Sequence, residues 1–70
     1  MNQQFDESIK AYRKAIELKP DYFDAYNNLG VIYMETKQWY QAIKNFSKCL
    51  QLQPNELEAA QNLKETLSTL

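Results

Sequence analysis

The sequence predicts an all-α fold: an antiparallel helix-hairpin repeat of about four helices. Three observations carry this expectation. Ala, Leu, Gln, Glu and Lys are frequent while one Gly and two Pro leave little material for turns, a balance that favours helix over strand. The chain resembles itself at a spacing of 34 residues. Apolar side chains recur at helical spacing in segments that the two prolines punctuate.

The repeat is explicit. Displaced by 34, Gln4 meets Gln38, Ile9 meets Ile43, Lys10 meets Lys44 and Lys14 meets Lys48. Leu18 meets Leu52, Pro20 meets Pro54, Ala25 meets Ala59, Asn28 meets Asn62 and Leu29 meets Leu63. These are nine identities over thirty-six compared positions, and Phe5 with Trp39, Tyr12 with Phe46, Ala15 with Cys49 and Ile16 with Leu50 add conservative matches. Such a period identifies a stack of supersecondary units.

The elements follow in order. Phe5, Ser8, Ile9, Tyr12, Ala15 and Ile16 share one face and predict a helix over about 3–18. Pro20 stops it, because a proline disfavours helical geometry in the residue before it. Tyr22, Tyr26, Leu29, Gly30 and Tyr33 mark a second helix over about 22–35. Trp39, Ala42, Ile43, Phe46, Cys49 and Leu50 repeat the first stripe one period later, over about 38–52, and Pro54 ends it. A fourth helix is expected over about 56–69. Asp21 and Asn55 stand where N-caps belong, with Asp24 and Glu58 placing negative charge in the first turns and Asn55 with Glu58 approximating a capping box.

The run Ala25-Tyr26-Asn27-Asn28-Leu29-Gly30-Val31-Ile32-Tyr33, followed by Trp39, Ala42, Phe46, Cys49 and Pro54, resembles the tetratricopeptide repeat (TPR) signature. The resemblance covers the whole chain. It implies one module over 1–70: the second helix of a truncated repeat (1–22), a complete repeat (23–56) and a C-terminal capping helix (57–70). Gly30 is expected to let its helix approach Ala42 closely. Lys64, Glu65 and Thr66 stand where Gly30, Val31 and Ile32 stand one period earlier, so the last helix reads as a solvating cap and a genuine end of the array. The first helix lacks the partner that the family packs against it, which predicts either a longer array or self-association. Phe5, Ile9 and Tyr12 on that helix, with Leu57, Ala60, Leu63 and Leu67 on the cap, are the candidate self-association residues of a homodimer or oligomer. A domain swap is a variant of that route, because the turn at Thr36-Lys37 has no glycine.

Composition excludes several functions. The chain has eight basic and nine acidic residues and a net charge of −1, which lacks the basic excess of a nucleic-acid surface. It has no His and a single Gly, so the commonest general base and a phosphate-cradling loop are both missing. No catalytic, metal or cofactor residue is expected. The lone Cys49 lies on an apolar stripe and reads as a small core residue. No apolar run approaches a membrane span of about 20 residues, and the N-terminus has no signal-peptide pattern; the expected setting is cytoplasmic.

What remains is binding. The resemblance implies that first-type helices line a concave groove for an extended peptide or partner helix. The matching positions are Asp24, Asn27, Asn28, Val31 and Glu35, then Glu58, Gln61, Asn62 and Glu65. Asn28 and Asn62, one period apart, can each donate to and accept from a peptide backbone. The acids at these positions predict a protein or peptide partner that is basic or neutral rather than acidic, and argue against a clamp for acidic chaperone tails. The second-type helices are net basic through Lys10, Arg13, Lys14, Lys44 and Lys48.

Overall fold

A computed structural model describes residues 3–70, and within them the chain is four α-helices joined by tight turns. They are α1 (Gln3–Leu18), α2 (Phe23–Glu35), α3 (Trp39–Leu52) and α4 (Leu57–Thr69). The all-α hairpin architecture is as the sequence predicts, with boundaries displaced by at most a residue.

The 34-residue period is written into the backbone hydrogen bonds. The Lys19 amide donates to the Ala15 carbonyl at 2.9 Å and the Gln53 amide to the Cys49 carbonyl at 2.8 Å. Tyr22 then donates to Lys19 at 3.0 Å, and Glu56 to Gln53 at 3.1 Å. Both turns therefore place proline second and an Asx residue third, a position pattern proline presets by fixing its own φ. This geometry corrects the expected caps. Asp21 and Asn55 lie inside the turns, and the N-caps fall one residue later, at Tyr22 and Glu56. Tyr22 makes no side-chain cap, whereas the Glu56 carboxylate accepts from the Glu58 amide at 3.3 Å.

The turn between α2 and α3 is of another kind. Gln38 donates to the Tyr33 carbonyl at 2.8 Å and Lys37 to that of Met34 at 3.1 Å, with Lys37 at φ 62°. That pairing is a Schellman motif with lysine in the left-handed position usually held by glycine. Thr36 Oγ1 adds bonds to the Ile32 and Tyr33 carbonyls at 3.0 and 3.2 Å. The helices thus close into a hairpin within one chain.

The core gathers Leu29 and Tyr33 of α2 with Ala42 and Phe46 of α3, and Ile9, Tyr12 and Ile16 of α1 pack against it with Val31, Met34 and Leu63. Gly30 lies against Phe46: a β-carbon on it would lie 2.5 Å from the ring. Phe46, Cys49, Ala42, Ala25 and Ala59 are wholly inaccessible. Thr66, expected as part of a solvating cap, is also fully buried, its hydroxyl donating to the Asn62 carbonyl at 2.8 Å.

The packing order decides the shape. Helix α2 touches α1, α3 and α4, and α3 touches α4, whereas α1 makes no close backbone approach to α3. The slab is 15 Å thick, the depth of two helix layers at ordinary spacing of about 10 Å plus two backbone radii of about 2.3 Å. Its α2–α4 layer is closed and its α1–α3 layer is splayed.

Candidate functional site

Among the described residues no group of His, Cys, Asp and Glu is arranged to hold a metal. Cys49, the candidate core thiol, is buried and unpaired. Burial, then the nearby Glu56 and Asp24, then Glu58, push its thiol from 9.0 up to about 11 against a lowering from the Asn27 backbone, so the nucleophilic thiolate is suppressed. Among the described residues no helix is long and apolar enough to cross a membrane.

The polar face shared by α2 and α4 is built around Asn27. It is buried, 4 % exposed, on the side of α2 that meets α4. Its Nδ2 donates to Glu58 Oε1 at 2.5 Å, and its Oδ1 accepts from Asn62 Nδ2 at 3.3 Å. A buried amide without partners would cost about 1–3 kcal/mol; here it is satisfied at both ends, and every buried side-chain polar atom among the described residues has a partner. The network fixes α4 against α2.

Asn27 is therefore withdrawn from the contact surface on which the sequence placed it, because it is covered by the two residues it bonds. The asparagine pairing also differs. The repeat matches Asn28 to Asn62, but it is Asn27 that Asn62 reaches. Asn28 is half-buried and makes no intramolecular side-chain hydrogen bond among the described residues. Val31 is half-buried, and Asp24, Glu35, Glu58, Gln61 and Glu65 are exposed. Residues 24, 28, 31 and 35 recur at helical spacing along one side of α2.

The self-association residues separate into two groups. Ile9, Tyr12 and Leu63 are half-buried against the chain's own core. Phe5 is half-buried, and Leu57, Ala60 and Leu67 are exposed, Leu57 at 73 % and Leu67 at 51 %. A hollow of about 430 Å³ runs between Leu50, Ala60, Leu63 and Leu67, with Lys64 and Ser68 at its edge.

The opposite side of α2 carries a feature the sequence reading missed. Where α1 and α3 diverge they leave an open cleft of about 830 Å³, floored by Tyr26, Leu29 and Tyr33. Arg13 donates to Tyr33 Oη at 2.7 Å across it. Charge counting had found the basic residues of α1 and α3, but the gap depends on two helices failing to meet, which no local pattern encodes.

Two helical hairpin layers, stacked with a fixed turn at each period, define an α-solenoid repeat protein. Two family models match, one described as TPR repeat over residues 2–37 and one as tetratricopeptide repeat over residues 23–56. The chain belongs to the tetratricopeptide repeat family. Comparison with curated proteins gives no match.

Proposed function

We propose that the chain is a non-catalytic binding module that takes a neutral or basic peptide or partner helix along the polar face of α2 and α4. Tetratricopeptide repeats are generally protein-interaction modules, and the family is typically a scaffold without catalysis. The observation that carries the reading is Asn28. Its amide retains donor and acceptor capacity beside a platform held rigid by Asn27, Glu58 and Asn62, and such preorganisation lowers the entropic cost of binding. Asp24 and Glu35 lie on the same side of α2 as Asn28, and Glu58 and Glu65 lie on α4, all exposed, so cationic ligands are favoured. Calorimetry with peptides selected from a neutral and basic display library tests it. Asn28→Ala should weaken binding about ten-fold, as loss of a bidentate amide costs about 1.4 kcal/mol. An unchanged Kd sinks the reading.

A second reading rests on the exposed leucines. Leu57, Leu67 and the hollow beside Leu63 form an apolar surface on α4, and a second copy docking there would make a homo-oligomer. Light scattering on a sizing column across a wide dilution range separates the readings. A mass twice that of the chain, reduced to one by Leu67→Glu, supports assembly; a constant monomer removes it.

A further inference from the structure

The splayed α1–α3 layer has consequences on the side away from the polar face. The cleft there runs along α3 from Gln41 to Gln51, about 15 Å at the helical rise, which matches a short stretch of peptide. Its floor is apolar and aromatic: Ile16, Tyr26, Leu29 and Tyr33. Its rim holds Arg13, Lys44 and Lys48, and among the described residues no acidic side chain lines it. Arg13 is anchored by its bond to Tyr33, which fixes one cation over the floor, while Lys44 is exposed and Lys48 half-buried on the facing wall. Three cations around an apolar trough, with no internal counter-charge in the lining, complement a ligand with apolar side chains flanked by carboxylates.

We infer that this cleft is a second docking surface, for an acidic peptide segment of a partner protein that inserts apolar side chains onto Ile16, Tyr26 and Ile43 while its carboxylates meet Arg13, Lys44 and Lys48. The charge preference is opposite to that of the α2–α4 face, so the module presents two surfaces that select different segments. The reading does not depend on the first: the two faces share no exposed residue.

The test uses the folded chain and a peptide of about twelve residues in which Glu and Asp alternate with Leu and Phe, with a counterpart carrying Lys at every acidic position. Amide chemical shifts are followed on titration, at low and at raised salt. The acidic peptide should give saturable shifts at Ile16, Tyr26, Lys44 and Lys48, weakened by salt because the rim is solvent-accessible. Lys44→Glu should weaken it about ten-fold and Lys44→Gln by less, as expected for a charge pair, with Asn28→Ala leaving it unchanged. The second lysine variant gives the answer if the charge reversal unfolds the chain. Equal binding of the lysine peptide, shifts confined to Asn28, Gln61 and Glu65, or no saturation would each overturn the proposal. So would a doubling of mass in the same concentration range with shifts at the cleft, which would show a second copy as its occupant.

Discussion

Gly30 faces a ring that has nowhere to go. Its hypothetical β-carbon would sit 2.5, 2.6 and 2.8 Å from three atoms of Phe46, a side chain with no exposure. Alanine in mid-helix gains about 1 kcal/mol of intrinsic propensity over glycine, but overpacking a filled core costs about 1–3 kcal/mol. Gly30→Ala should therefore lower stability despite its better propensity, measured as a reduced denaturation midpoint; a raised midpoint would show that the ring yields. The need for a glycine was legible in the sequence, but the Phe46 ring against it was not, since the spacing of a stripe does not say which facing side chain lies nearest. Cys49 supplies a pH dependence. Its thiol is raised from 9.0 to about 11, so the folded state holds a proton that the unfolded chain releases first. The contribution is complete below about pH 9 and is lost as pH rises through about 11. Stability should fall more steeply between about pH 9 and about pH 11 in the native chain than in Cys49→Ala, and parallel curves would contradict this.

At the scale of elements, turns decide where helices begin and end. The prolines were correctly read as stops, yet the caps were placed one residue early, because each Pro-Asx pair completes a turn before the helix can start. Apolar periodicity locates a helix well and its first residue poorly. The α2–α3 turn carries strain instead of glycine. A β-carbon in the left-handed region costs about 1–2 kcal/mol, and Lys37 at φ 62° bears it while Thr36 and the paired backbone bonds hold the turn. Lys37→Gly should relieve most of that cost, outweighing the entropy it adds to the unfolded chain, and raise the thermal midpoint. A lowered midpoint would mean that lysine contributes something there which the bonds to Tyr33 and Met34 do not explain. The same logic accounts for Thr66, whose polarity suggested solvent: its hydroxyl is satisfied by its own helix, so the residue can be buried.

For the whole molecule, asymmetry between the layers matters most. Helices α2 and α4 are tied by the Asn27 network, while α1 and α3 diverge, so one side carries a polar network and the other an open cleft rimmed by Arg13, Lys44 and Lys48. The repeat and the fold were legible because packing residues recur every 34 positions. The proposed working surface was legible only in outline, since Asn27 and Asn28 are neighbours of one type and only their surroundings separate a structural amide from an available one. Charge segregation was visible too, though not the cleft it encloses. The most direct measurement is an amide-shift map of the chain saturated with a peptide drawn from a neutral and basic library. The account predicts a footprint along Asn28, Val31, Gln61 and Glu65, crossing from α2 to α4. A footprint confined to α1 and α3 would contradict the assignment of the α2–α4 face as the surface that binds such ligands.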